Sequence, residues 1–436
     1  MLKAELTSPP SWFSRLGTLA RPGGKLSTDF VFAAASQVLG RGSLILASIL
    51  VANFMTVESF STFTYFNLTI AMIATFSTLG LGVAASRIFA ESTVGLDENK
   101  RREARSVLFF AALSALVAVC ALHTMPDSWL VGNVRLSRPV LYASVVAITI
   151  NNVLLGAMSG RGEFGLMALA AGAGLLVLLG GVGAAVHFGS VNLAIWSVLI
   201  SMTLQIGIFS TRLVPLLRAR DGAESSKMDL RLAAGVMRIA GPMFLTSLVV
   251  GTVFWFLGRA LMGGENGVAE FSKYAVGLQW FSFILLVPSI TTRVFFPRIV
   301  QASVQNSDER RKLVLMNAGA NFLVAAVLGA IAMALGDVFL SLYGNDDVTD
   351  VQVFRLFVLA AIVASPVNGL GNAIIARDPG PRRWLLLQVG WGLVAVLGAL
   401  HFSATGTAAS MAGALLLAYV CLVPSSLLVL KQLKLL

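Results

Sequence analysis

Phe30–Met55, FVFAAASQVLGRGSLILASILVANFM, is the stretch whose reading decides the class of this protein. It exceeds the roughly 20 apolar residues that a helix needs to cross a bilayer. Arg41 stands near its middle. A cation at mid-bilayer costs about 2.5 kcal/mol or more, and such residues face a bundle interior or a water-filled cavity. The stretch therefore predicts a first membrane span that carries a functional residue.

The rest of the chain has the same character. It is 57% hydrophobic and only 12% charged, with a mean hydropathy of +0.83. A soluble domain carries about twice that charged fraction. Apolar windows separated by loop signals give about twelve spans, near 30–53, 61–83, 106–125, 139–158, 165–187, 192–211, 240–262, 272–295, 313–335, 353–375, 385–402 and 407–430. The expected fold is an all-α integral membrane bundle. Cys120 and Cys421 lie far apart inside apolar runs, and are expected to be small core residues with no disulfide between them.

Residues 1–29 lack the short apolar core and cleavage site of a signal peptide. Trp12, Phe13, Leu16 and Leu19 fall on one helical face near Arg15, with Arg21 and Lys25 following. That pattern predicts a short amphipathic helix in the cytoplasmic interface, the alternative being a disordered basic tail.

The net charge of +11 is explained by position. With the N-terminus inside, Lys and Arg crowd the cytoplasmic segments, among them Lys100–Arg105, Arg212–Arg238 and Arg310–Lys312. The outer loops keep only Arg135, Arg138 and Lys273. This asymmetry orients the chain with both termini in the cytoplasm, as the positive-inside rule requires. The charge belongs to topology and anionic lipid, which removes nucleic acid as a partner.

The loop around Arg212–Arg238 divides the spans six and six. Five segments follow: 1–29, the N-terminal amphipathic segment; 30–211, a six-helix lobe; 212–239, a cytoplasmic connector; 240–430, a second six-helix lobe; and 431–436, a cytoplasmic tail. The halves repeat weakly. Phe60-Ser61-Thr62-Phe63 matches Phe271-Ser272-Lys273-Tyr274 at an offset of 211 residues, and Ser86-Arg87-Ile88 meets Pro297-Arg298-Ile299 at the same offset. Asn152 and Arg161 correspond to Asn368 and Arg377 at an offset of 216 residues. Six-span repeats share one orientation, giving two parallel lobes with a substrate site between them.

The chain resembles the multidrug/oligosaccharidyl-lipid/polysaccharide (MOP) flippase superfamily, and most closely its Wzx-type polysaccharide branch. The resemblance rests on Gln37, Gly40 and Arg41 in the first span, and on Glu58…Phe60-Ser61…Phe63 with Leu79-Gly80-Leu81-Gly82…Arg87 in the second. Glu270-Phe271-Ser272…Tyr274 and Pro297-Arg298 repeat that pattern in the other half. It implies a V-shaped, MATE-like pair of six-helix lobes moving lipid-linked oligosaccharides across a bacterial inner membrane. The two additional helices of lipid II flippases are not expected here.

Charge sign gives a separate argument about cargo. All 21 Asp and Glu residues fall in loops or at span ends, while the charges inside spans are arginines. A cation antiporter needs buried acids. A cleft with Arg and without acid favours an anion, because Arg pairs with phosphate through a fork that Lys lacks. Arg41, Arg259 and Arg293 are the candidates for binding a pyrophosphate. For each an alternative stands: backbone or Asn hydrogen bonding for Arg41, snorkelling to the interface for Arg259, helix-end stabilisation for Arg293. Arg355 is expected at the interface. The repeat-related Arg87 and Arg298 are expected to anchor topology or form an inner gate.

Gln37, Asn152, Asn368, Gln279 and Trp280 are the candidates for glycan contact. The competing role is inter-helix hydrogen bonding for the amides and interface anchoring for the Trp. No Ser/His/Asp arrangement, Walker A loop or zinc spacing occurs, so the reading is a transporter with neither catalytic residues nor a metal. No cofactor is expected; H⁺ or Na⁺ coupling, or the membrane potential, would drive it. Expected partners are a lipid-linked oligosaccharide, membrane lipids, a polysaccharide polymerase and chain-length machinery, around a monomer. The alternatives are a multidrug/cation antiporter of the same fold and a membrane polysaccharide polymerase or ligase.

Overall fold

The computed structural model describes residues 25–78, 80–90, 98–126, 138–217, 230–264, 266–290, 307–344, 346–375, 380–402 and 407–433. Among these residues no strand occurs, and twelve helices are 18 residues or longer. The first half holds α1 (Lys25–Phe54), α2 (Val57–Thr78), the short α3 (Leu81–Ala90), α4 (Glu98–Thr124), α5 (Arg138–Gly160), α6 (Phe164–His187) and α7 (Val191–Leu217). The second half holds α8 (Leu230–Met262), α9 (Gly267–Ile284), α10 (Ser307–Ala334), the short α11 (Gly336–Ser341), α12 (Val351–Ile375), α13 (Gly380–Phe402) and α14 (Ala408–Gln432). Over the described residues each expected span falls on a helix, except that the second is divided between α2 and α3. The predicted amphipathic segment lies mostly outside the described residues, as does the centre of the connector, which α7 and α8 enter from either side.

The two halves pack by the same plan. In the first, α1 packs on α6, α6 on α7, α4 on α5, α5 on α7, and α2 on α5. In the second, α8 packs on α13, α13 on α14, α10 on α12, α12 on α14, and α9 on α12. One list becomes the other by replacing each helix with its repeat mate. The halves meet chiefly through α2, which lies against both α8 and α9.

Ten of the twelve helices are long and apolar enough to cross a membrane; α2 and α9 fall short. Their position explains this. The residues from Phe60 through Phe66 are all buried, and Phe271, Ser272, Tyr274–Gly277, Trp280 and Phe281 are buried on α9. Much of the surface of these two central helices is covered by protein, so little of it needs a lipid-compatible face, and Ser, Thr and Asn are admitted there. The outer helices carry apolar stripes instead. Leu386, Leu393, Leu397 and Leu400 are exposed along α13 at helical spacing, as are Phe322, Leu323, Val327 and Ile331 on α10.

The second span departs from the expected continuous helix. It breaks between α2 and α3 at Gly80, whose φ of 71° is costly for any residue with a Cβ. The glycine-rich motif there has a packing reason. A Cβ on Gly156 would lie 2.9 Å from the Gly82 Cα, and one on Gly160 would lie 2.9 Å from the Ser86 Cα. Gly82 and Ser86 on α3 thus nest against Gly156 and Gly160 on α5, the small-residue contact that helix pairs in lipid rely on. The cysteines correct an expectation: Cys120 and Cys421 are unpaired, as expected, but exposed. In a membrane protein an apolar run faces lipid as readily as core, so its apolarity did not imply burial.

Candidate functional site

Ser61 on α2 and Ser272 on α9 are partners in the 211-residue repeat, and their hydroxyl oxygens lie 2.6 Å apart, buried between the halves. A residue that touches its own repeat mate lies on the axis relating the halves, as in any isologous two-fold contact. Both hydroxyls also lie 2.8 Å from the Val268 carbonyl. Further contacts close this end. Asn53 donates to the Leu342 carbonyl. The Phe60 ring meets Tyr343 edge-on at 6.3 Å, and Tyr65 meets Phe271 at 5.4 Å.

Away from that seal, the halves part around a cavity of about 460 Å³. Arg41, Leu44, Ile45 and Ser48 contribute from α1, Thr64, Asn67, Leu68 and Ala71 from α2, and Phe271, Leu278, Gln279 and Ser282 from α9. Among the described residues Arg41 is the one charged residue in the lining, and it is exposed. The reason lies in the fold: α1 touches α9 across the cleft, which turns the polar face of the first span toward the second half. Among the described residues no Asp or Glu is buried. Glu270 illustrates where the acids go. At the first turn of α9 it accepts from Lys273 at 2.9 Å and from the Ala408 backbone N–H at 2.6 Å, satisfying the N-terminus of α14.

The other candidates are distributed unevenly. Gln279 reaches the cavity, and its amide oxygen accepts from the Tyr343 hydroxyl at 3.0 Å. Burial raises the Tyr343 phenol above its ordinary value, so it remains a donor at neutral pH. Gln37 is half-buried one turn from Arg41, outside the cavity lining, and Asn152 is exposed on α5. Asn368 is half-buried on α12, away from the cavity lining. Arg259 points toward the end of α8: a Cβ on Gly263 would lie 3.6 Å from its Nη1. It is also within electrostatic reach of Tyr65. Arg355 is exposed in the first turn of α12. The side chain of Arg87, and Arg293 and Arg298 altogether, lie outside the described residues.

Trp280 lies outside the cavity lining. Its ring stacks on Phe339 at 4.4 Å and meets Phe354 edge-on at 5.8 Å, so it packs inside the second half. Asn317 and Asn321, fully buried on α10, hydrogen-bond each other at 3.4 Å, and the Asn321 carbonyl accepts from Ser365 on α12 at 2.7 Å. They tie helices together. Thr64 and Ser282 are cavity residues that sequence reasoning did not select as ligands, whereas Asn67 is an amide that the sequence offers for sugar contact and that does line the cavity. The period of α2 and α9 marks their buried faces but not which part of each face borders open space.

No protein-family model matches the chain. It is 23% identical over 332 residues to the EPS I polysaccharide export inner membrane protein EpsE of Ralstonia nicotianae, covering 72% of each chain. To the protein of that name from Ralstonia solanacearum it is 22% identical over 418 residues, covering 90% of this chain and 91% of the relative. Its fold matches an inward-facing MATE family multidrug resistance transporter of the MOP superfamily, with a TM-score of 0.63 and 16% identity over 97% of this chain and 98% of the other. It also matches the lipid II flippase MurJ in an inward closed conformation, with a TM-score of 0.67 and 12% identity over 92% of this chain and 87% of the other. The chain is a multi-pass membrane protein with the fold of MOP-superfamily transporters and low-identity homologues among polysaccharide export proteins.

Proposed function

We propose that this chain is a flippase that carries polyprenyl-pyrophosphate-linked oligosaccharides across a bacterial inner membrane for surface polysaccharide assembly. The carrying observation is the cavity between the halves, where among the described lining residues Arg41 is the charged group and none is a carboxylate. A pyrophosphate needs compensating cations in a site of low dielectric, and a guanidinium provides them in bidentate geometry. The similarity to polysaccharide export proteins points the same way. A cation antiporter on this fold would need acids in the cavity, and the described lining has none.

In this reading both termini are cytoplasmic, so the end sealed by Ser61 and Ser272 faces outward and the cavity receives cargo from the cytoplasm. Arg41 compensates the phosphate charge, Gln279, Asn67 and Ser282 meet sugar hydroxyls, and the polyprenyl tail stays in lipid. Separation of α2 from α9 releases the glycan on the far side, driven by an ion gradient, the membrane potential or the cargo gradient. A polysaccharide polymerase then consumes the product.

The test is transfer of a labelled undecaprenyl-pyrophosphate oligosaccharide in proteoliposomes. Loss of one charge-assisted pair costs about 1.5–3 kcal/mol, which predicts a fall of about tenfold to a hundredfold in Arg41→Ala. Arg41→Lys retains part of the activity. Cationic dye efflux without glycolipid transfer by the wild type would sink the proposal.

A further inference from the structure

A second cavity, of about 550 Å³, lies wholly between α13 and α14, away from the cleft between the halves. Its head is formed by Arg383 and Gln432, at the start of α13 and the end of α14. Its floor is Trp391, Ala418 and Leu422, and its deep end is Val394. The rim is open, since Leu386 is 70% exposed and a Cβ on Gly390 would meet nothing within 4 Å.

Two polar groups in this groove lack partners among the described residues. The Arg383 Nη1 is buried without an acceptor, and so is the indole Nε1 of Trp391, a residue only 2% exposed. A buried charged donor left without an acceptor is costly. The α13 N-terminus adds positive potential at the same end. Apart from Ser425, the rest of the wall is apolar. An anionic head over an apolar tail is the complement of this surface.

Length decides which lipid. From Arg383 to Val394 the helix advances about 16 Å at roughly 1.5 Å per residue, close to the ~15 Å of one leaflet of a ~30 Å hydrocarbon core. An acyl chain ends within that depth, whereas a polyprenyl chain of many units overruns it.

We propose that this groove binds one anionic glycerophospholipid, its phosphate on Arg383 and one acyl chain along Leu386, Gly390 and Val394. The site is separate from cargo transport, so it stands or falls independently of the flippase reading. The test is native mass spectrometry of the full chain in mild detergent titrated with phosphatidylglycerol. The wild type and Arg311→Ala, which removes an exposed cation at the start of α10, are expected to retain one lipid alike. Arg383→Ala is expected to weaken retention by about tenfold or more, as loss of a charge-assisted pair implies. Gly390→Leu fills the groove without a clash and abolishes retention at an unchanged melting temperature, with Gly390→Val as the second filling variant. Equal retention by all variants would show annular lipid only, and tighter binding of undecaprenyl phosphate would show a tail groove for cargo. Either result overturns the proposal.

Discussion

The seal between Ser61 and Ser272 makes a demanding prediction. If the halves exchange access by parting along α2 and α9, a covalent link between these repeat mates must stop transport. The hydroxyl oxygens are 2.6 Å apart, near the ~2.05 Å of a disulfide, and the longer C–S bonds shorten the remaining gap. Ser61→Cys/Ser272→Cys is therefore expected to cross-link on mild oxidation, in a chain whose own cysteines are unpaired and far apart. Glycolipid transfer is expected to fall to background when oxidised and to return with reductant, while each single variant stays active. The serines themselves contribute little. Two hydroxyl protons serve three contacts, and in Ser61→Ala the Ser272 hydroxyl keeps its bond to Val268. One net bond is lost, worth about 0.6–1 kcal/mol. That shifts the balance between closed and parted states by roughly three- to fivefold, measurable as faster thiol labelling at this end. Complete cross-linking, verified by mass, with undiminished transfer would refute the reasoning.

Other outcomes follow from particular contacts. Gly156→Ala places a Cβ inside the van der Waals shell of the Gly82 backbone, and overpacking of this kind costs about 1–3 kcal/mol, seen as a lower melting temperature in detergent. Trp280→Ala removes a ring stacked on Phe339 and met edge-on by Phe354; it should lose about 3–5 kcal/mol of stability, whereas Trp280→Phe should keep both fold and transfer. Loss of transfer by a stable Trp280→Phe would restore a role in sugar stacking. Glu270→Gln weakens the cap on α14 and the ion pair with Lys273. A loss of up to about 2 kcal/mol is expected for a partly buried group at a helix N-terminus, read by thermal unfolding.

Periodicity and charge made much of this architecture legible. Twelve apolar windows, an intramembrane arginine and the 211-residue repeat are local or register properties, so composition and spacing carry them directly. The repeat was read from four-residue matches, and it paired Ser61 with the residue it touches. Arg41 was identifiable because a charge in lipid is too costly to leave unaccommodated. The uncharged candidates were less legible. Trp280 and Gln279 are neighbours in sequence, yet one packs in a core and the other borders the cavity. Adjacent helical residues point about 100° apart, and an amide or aromatic tolerates either environment.

The sequence by itself determined the solvent this protein folds in, the order of its long apolar helices and the sign of the charge it brings into the membrane. These follow from transfer free energies summed over short windows, which do not depend on distant contacts. Tertiary structure alone decided which faces of the helices are covered by protein and which by lipid. In a bilayer both surroundings are apolar, so the sequence of an outer helix pays no penalty that would mark one from the other. That is why Cys120 and Cys421 emerged on exposed faces, why α2 and α9 could afford their polar residues, and why the groove beside Arg383 became visible only once α13 and α14 were packed together.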